Sequence, residues 1–216
     1  MLTFKLTNMR QFGLIGFPVI QSFSKKYFSE KFQLEMIDAS YELYPLEDIR
    51  HFPELISQHQ FDGLNVTIPH KQAVMPYLDE LDETAAEIGA VNVIKIIRKN
   101  NQHYLKGYNT DTIGFTDSIQ PFLKPHHQKA LILGTGGASK AIKYSHGIKG
   151  IDTTFVSRKP EAGQLSYNQV TPELIQEYLL IVNCTPLGMF PDIQNCPDLP
   201  YESMGSQHLL YDLIYK

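Results

Sequence analysis

Lys129-Ala130-Leu131-Ile132-Leu133-Gly134-Thr135-Gly136-Gly137-Ala138-Ser139 is the stretch on which the reading of this chain turns. Lys129 to Leu133 is nearly all apolar, which predicts a parallel strand buried on both faces. A glycine-rich turn follows directly, and a helical stretch follows the turn. Strand, tight turn and helix in that order form the context of a dinucleotide-binding fingerprint. Gly134 permits the tight turn, and Gly136 lets the backbone approach a pyrophosphate. The free N–H groups and positive dipole end of the next helix suit phosphates. The third position of the usual G-x-G-x-x-G/A pattern is Ser139, a departure, although Gly137 and Ala138 keep the turn small. The ordinary alternative is a glycine-rich turn with no ligand.

Towards the C-terminus, Thr153 to Val156 reads as the next strand and ends in Ser157-Arg158-Lys159. Sites for NAD place Asp or Glu about twenty residues after the glycine loop, where it binds the ribose 2′-OH. Here no carboxylate stands before Glu161. Two cations fit a 2′-phosphate, and Arg can hold one bidentately, which favours NADP over NAD. Two exposed loop cations are the plain alternative. A helix over Pro172 to Tyr178 and apolar strands over Leu179 to Val182 and Leu209 to Leu213 complete an alternation that indicates an open α/β sheet.

Towards the N-terminus, Pro121 to Gln128 breaks the pattern with two prolines and two histidines. A boundary there divides the chain into residues 1–120 and 121–216. His126 and His127 in this stretch are expected to be solvated. The first part reads as an α/β lobe. Strands are expected over Gln11 to Phe17, Tyr41 to Tyr44 and Phe61 to Val66. A strand pair is expected over Ala90 to Ile97 and His103 to Gly107, around Lys99-Asn100-Asn101. A helix over Ser24 to Ile37 would place Phe28, Phe32 and Met36 on one face. A second, over Glu47 to Gln58, would turn Ile49, Phe52, Leu55 and Ile56 inward, and a third would run from about Asp111 to Phe122. Pro69 suits a first helical turn, where a missing N–H costs nothing.

Composition excludes several classes. Hydrophobic residues are 43% and charged residues 19%, enough apolar material for a core in each lobe. The formal charge is −4 with no Lys/Arg-rich run, so a nucleic-acid partner is not expected. The apolar runs are strand-sized, well short of the about 20 residues of a membrane span. Met1 to Arg10 lacks the apolar core and cleavage site of a secretory signal. Two cysteines, Cys184 and Cys196, make no disulfide framework and suit a reducing, cytoplasmic compartment. The eight histidines show no metal-ligand spacing, so no metal is expected. The residues do not fix oligomeric state, and a homodimer is carried as an expectation.

The first lobe holds a set of polar candidates. Lys71, in Asn65-Val66-Thr67-Ile68-Pro69-His70-Lys71, would lie in the first turn of a helix opened by Pro69. The dipole there opposes an ammonium, which suits a lysine to general acid/base work. An isolated lysine is more often just exposed. Asp111, in Asn109-Thr110-Asp111, could pair with Lys71 or bind a hydroxyl, or could simply cap a helix. Ser22 and Ser24 offer two hydroxyl donors for an anion, or a cap. Asn92 is a polar residue inside an apolar strand, and its amide needs partners if buried.

Together and in this order the motifs resemble the shikimate dehydrogenase family. The matching segments are Gly16-Phe17-Pro18, Ser22-Phe23-Ser24, Asp62 to Lys71, Ala85 to Asn92, Gly107 to Gly114, the glycine loop, Asn183 to Met189, and Tyr211 to Tyr215. The resemblance covers nearly the whole chain. It implies an α/β fold of two lobes: an N-terminal substrate-binding domain, then a Rossmann-like NADP-binding domain with a parallel sheet. It implies reversible hydride transfer between NADP and the ring hydroxyl of shikimate, giving 3-dehydroshikimate. Lys71 would exchange the proton and Asp111 would orient it. Ser22 and Ser24 would hold the substrate carboxylate. Asn65, Thr67, Asn92 and Asp111 would meet its hydroxyls and the lysine, with Tyr215 approaching from the second lobe. Gly134, Thr135, Gly136, Gly137, Ala138 and Ser139 would hold the pyrophosphate. Ser157, Arg158 and Lys159 would meet the 2′-phosphate, where the family more often shows Asn-Arg-Thr. Thr185 and Leu213 would complete the cofactor site, Leu213 beside the nicotinamide. The family also continues past the position of Lys216 into helices that pack back on the first lobe and bring a substrate-binding glutamine. The rival readings are a dehydrogenase of dual quinate/shikimate specificity and a non-catalytic shikimate- or nucleotide-binding protein. Retention of both Lys71 and Asp111 favours an enzyme, because a binding module needs no proton-transfer pair.

Overall fold

A computed structural model describes residues 9–20, 22–99 and 102–214. The fold is of the mixed α/β class expected, and it divides into two compact units, Met1–Asn109 and Thr110–Lys216.

The first unit is built on a six-stranded mixed sheet. In chain order it contains β1 (Arg10–Gly16), α1 (Phe23–Leu34), β2 (Ala39–Pro45), α2 (Phe52–Gln58), β3 (Phe61–Val66), α3 (His70–Ala73), β4 (Glu80–Leu81), α4 (Glu83–Ile88), β5 (Val93–Lys99) and β6 (Gln102–Tyr108). The strand order is β2-β1-β3-β5-β6-β4. β1 runs parallel to β2 and β3, while β5 is antiparallel to both β3 and β6. One face packs Ile15, Phe52, Phe61, Val66, Val74 and Ile94 into a core. The other carries Leu14, Val19 and Tyr41 under α1, with Phe28 stacked on Tyr41 at 4.6 Å between ring centroids.

Two helices differ from expectation for local reasons. α1 stops at Leu34, and Met36 lies beyond it with φ 51° and a nearly fully exposed side chain, so it is no part of the Phe28–Phe32 face. The helix expected over Glu47 to Gln58 splits into a 3₁₀ turn, Ile49–His51, and α2. Pro53 has no N–H to return to Ile49, so an unbroken α-helix through this point would lose a hydrogen bond. Asp48 caps the 3₁₀ turn by accepting from Arg50 N at 2.9 Å.

The second unit contains α5 (Asp111–Ile119), β7 (Lys129–Leu133), α6 (Gly137–Ile148), β8 (Asp152–Val156), α7 (Pro172–Glu177), β9 (Leu180–Asn183) and β10 (Leu209–Asp212). Its four strands form the parallel sheet expected, in the order β10-β9-β7-β8. β7 is buried on both faces. Ala130 and Ile132 face the core under α5 and α6, while Leu131 and Leu133 face the core under α7. Full burial of each such aliphatic side chain stabilises by about 1.5–3 kcal/mol.

The unit division falls ahead of the boundary read at residues 120/121. α5 buries Phe115 and Ile119 against Ala130, Ile132 and Ile142, so its apolar face belongs to the second core. His127 is not solvated as expected. It is buried, accepts from Lys124 N at 3.0 Å, and places Nε2 3.1 Å from Gln207 O. Burial holds its imidazole below the ordinary range. No helix among the described residues is long and apolar enough to cross a membrane.

Candidate functional site

The mixed sheet of the first unit gathers the polar candidates at one edge. Ile15 pairs with Val66, Asn65 with Val93, and Val93 with Tyr108, so the ends of β1, β3 and β6 and the start of β5 lie in one row. The residues just past that row are Thr67, Asn92 and Asn109, with Ser22 on the loop after β1. Main-chain bonds tie these exits together. Thr67 N donates to Ile15 O and Phe17 N to Ile68 O, both at 2.9 Å. Val66 N donates to Asn92 O at 2.8 Å, and Asn92 N to Tyr108 O at 3.0 Å. Asn92 therefore sits one residue before β5, not inside a strand as expected, and bridges β3 to β6.

Side chains are aimed by the same scaffold. Tyr41 Oη donates to Asn65 Oδ1 at 2.7 Å, which fixes the amide with its NH₂ turned the other way. Ser22 caps α1, its Oγ accepting from Ser24 N at 3.2 Å. A hydroxyl can accept and donate at once, so capping leaves the Ser22 proton for an anion. Both serines are half-buried.

Lys71 is half-buried in the first turn of α3, as expected. Pro69 itself is the N-cap residue, one position before the helix. α3 is only four residues long, so little dipole stands behind the position. What holds Lys71 in place is packing and main chain. The neighbouring His70 is buried with Nε2 2.5 Å from Leu46 O, and Lys71 O accepts from Val91 N at 2.7 Å. The Val91 segment is anchored in turn by Asn109 Nδ2, which donates to Ala90 O at 2.9 Å. Asp111 follows Asn109 by two residues, and two residues of extended chain span at most about 7 Å. Thr110, not Asp111, is the N-cap of α5; the half-buried Asp111 is its first helical residue. The simple capping role therefore does not apply to Asp111.

In the second unit the exits of β7, β8, β9 and β10 share the C-terminal edge of the parallel sheet, where ligands of such sheets bind. Gly134 has φ +100°, and a Cβ there would lie 3.3 Å from Thr185 Cγ2 and 3.5 Å from the Cys184 carbonyl. Gly136 is the N-cap of α6 and makes no side-chain cap bond, and a Cβ on it would meet nothing within 4 Å. Gly137 and Ala138 begin the helix, and Thr135 is exposed. Ser139 is fully buried, and its Oγ donates to Gly136 O at 2.7 Å. The departure from Gly or Ala is thereby accommodated, since the hydroxyl is small and satisfied within the turn. Ser157 closes β8 with its Oγ accepting from Lys159 N at 3.2 Å. Arg158 and Lys159 are exposed, and neither is in an ion pair among the described residues. An open glycine cradle on a helix N-terminus, with two cations at the next strand end, fits a dinucleotide bearing a 2′-phosphate.

Sequence reading gave no role to Asn183 and Asp212. Asn183 is buried at the end of β9, and its Nδ2 donates to both Asp212 carboxylate oxygens at 3.2 Å. Its Oδ1 accepts from Thr185 N at 3.0 Å and Thr185 Oγ1 at 2.7 Å. The available signal was an amide closing the apolar run Leu180-Ile181-Val182. Leu213 is described and follows β10; Tyr215 lies outside the described residues.

Residues 14–94 match the family model described as the shikimate dehydrogenase substrate binding domain. The chain is 33% identical over 222 residues to a shikimate dehydrogenase (NADP(+)) of Methanosphaera stadtmanae, covering 94% of this chain and 77% of that protein. Among solved structures, shikimate dehydrogenase from Aquifex aeolicus superposes with a TM-score of 0.83 at 29% identity, over 100% of this chain and 82% of that one. Shikimate 5-dehydrogenase from Thermus thermophilus, in complex with NADP(H) and shikimate, superposes with a TM-score of 0.80 at 28% identity, over 96% and 79%.

Proposed function

This chain belongs to the shikimate dehydrogenase family, and we propose that Lys71 and Asp111 are the acid–base machinery with which it interconverts shikimate and 3-dehydroshikimate. The cofactor is NADP, which supplies the hydride acceptor when bound. The first unit, with α5 leading out of it, is the substrate side, and the second unit is the NADP side.

The observation that carries the reading is the arrangement around Lys71. Its main chain is locked to Val91, and Asn65, Thr67 and Asn92 stand at the same sheet edge. As the ring C–H bond gives up hydride, the hydroxyl must lose its proton, and Lys71 Nζ takes it. In the reverse direction the same nitrogen returns the proton to the carbonyl oxygen. Asp111, tethered to the anchored Asn109, orients the lysine and the hydroxyl. Asn65, Thr67 and Asn92 hold the remaining hydroxyls, and Ser22 and Ser24 the carboxylate. Gly134 to Ser139 present main-chain N–H groups to the pyrophosphate. Ser157, Arg158 and Lys159 take the 2′-phosphate, and Thr185 and Leu213 flank the nicotinamide side. A cytoplasmic location belongs to the same reading, in keeping with two cysteines, Cys184 and Cys196, that form no disulfide among the described residues. So does a homodimer, which gel filtration would check.

Steady-state kinetics of Lys71→Ala test the assignment. Removing a general acid/base should lower kcat by about 10²–10⁴-fold, while KM for shikimate changes by no more than about threefold. An equal loss in both would make Lys71 a binding residue.

A further inference from the structure

Asn183 closes β9, Asp212 closes β10, and the two are register partners in the parallel ladder. The Asn183 side chain bonds Asp212 on one side and Thr185 on the other. Its main-chain oxygen accepts from Leu213 N at 3.1 Å. Asp212 Oδ1 accepts from Ile214 N at 2.9 Å. Leu213 is thus gripped from both sides, and one buried amide fixes the residues just past two neighbouring strands. The Thr185 hydroxyl has no proton left for a ligand, because it donates to Asn183 and accepts from Leu187 N at 3.3 Å. Thr185 therefore turns its methyl to the Gly134 turn. Asn183 is the buried member of this network, with Thr185 half-buried and Asp212 exposed, so the cost of breaking it falls mainly on the Asn183 amide, whose freed groups lose their partners away from water.

We propose that Asn183 and Asp212 are positioning residues for the cofactor. The pair holds Thr185 against the Gly134 turn and Leu213 at the end of β10, so that these two walls of the dinucleotide site are set before the cofactor arrives. The inference rests on the functional reading above. It changes the part played by Thr185, which contributes shape and main chain instead of a hydroxyl donor.

Asn183→Asp tests the pair, because it removes the donor and sets a like charge against Asp212. KM for NADP⁺ should rise about tenfold or more, the equivalent of about one lost buried hydrogen bond. KM for shikimate should stay within about twofold, since the first unit is untouched. The swap Asn183→Asp with Asp212→Asn restores one amide and one carboxylate across the ladder. Residue 183 can again accept from Thr185, and residue 212 from Ile214 N. The double variant should recover KM for NADP⁺ to within about threefold of wild type. A loss shared equally by both substrates, or a swap no better than the single variant, overturns the proposal. If Asn183→Asp does not fold, Asp212→Asn alone should show the same split at about threefold or more; no split there overturns it too. Should the wild type turn over no shikimate, the functional reading fails. Calorimetric titration of NADP⁺ into wild type and variants still decides the pair.

Discussion

The two sheet ends that carry the candidate residues are built on opposite plans. In the first unit, Ser22 and Ser24, then Asn65, Thr67 and Lys71, then Asn92 come from three separate segments. They share an edge because β5 runs antiparallel to β3, so the start of one lies beside the end of the other. In the second unit, Gly134 to Ser139 is one continuous turn, and what it offers a ligand is mostly main chain. In the proposed function the first end works through side-chain chemistry and the second through backbone shape. Substitutions should therefore fail in different ways at the two ends.

The largest contrast is in turnover. Against the about thousandfold loss expected for Lys71→Ala, Thr135→Ala in the glycine turn should change kcat by less than about threefold, because phosphates are met by N–H groups. A loss at Thr135 comparable to that at Lys71, in the same steady-state assay, would break the comparison.

Acid should separate the units next. His146 is fully buried in α6, with Nδ1 3.2 Å from Thr153 Oγ1 and no hydrogen-bond partner for Nε2 among the described residues. Burial lowers its pKa from 6.5 to about 4. The folded value lies below the unfolded one, so the neutral ring's contribution is complete above about pH 6.5 and lost as pH falls towards 4. The total is about 3 kcal/mol, of which about 2 kcal/mol is gone by about pH 5. The lowered His127 adds in the same direction. Hydrogen exchange, corrected for intrinsic rates, should show residues 130–183 losing more protection at about pH 5 than residues 12–66. His146→Phe should abolish most of the difference; equal losses in both units would contradict it.

Within the turn, two glycines should differ. Gly134→Ala forces a Cβ against Thr185 at φ +100° and should cost about 1–3 kcal/mol of stability in denaturant unfolding. Gly136→Ala has open space and extended backbone, so it should leave stability within about 0.5 kcal/mol. Its effect should be on NADP⁺ affinity, weakened by about tenfold as the added methyl keeps the phosphate off the backbone. Identical profiles would mean that neither glycine is there for the ligand. The smallest effect belongs to Ser139→Ala, which removes one hydrogen bond to Gly136 O and should cost about 1 kcal/mol or less by the same unfolding measurement.

Legibility in the sequence followed the same divide. β7 and β9 were legible because a strand buried on both faces is an uninterrupted apolar run. The fingerprint was legible because backbone geometry leaves its mark as glycine. β4 and α4 were not anticipated as elements. β4 has two residues and α4 six, too short for a period, although the Asp82 cap and the left-handed Gly89 bracket the helix. The first site was legible only as motifs, since no spacing shows that β5 begins where β3 ends. Asn183 and Asp212 stayed without a role because their meeting depends on the β9–β10 register, which lies between residues far apart in sequence. The weak dipole behind Lys71 was hidden for a related reason: Pro69 marks where α3 starts but not that it stops after one turn.

Initial rates of NADPH or NADH formation test the central claim most directly, with shikimate and quinate each offered together with NADP⁺ or NAD⁺. The roles proposed for Lys71 at the substrate and for Arg158 and Lys159 at the 2′-phosphate predict kcat/KM highest for shikimate with NADP⁺, by at least about tenfold over each other pairing. Binding of both ligands without turnover, or a preference for NAD⁺ with quinate, would contradict the account.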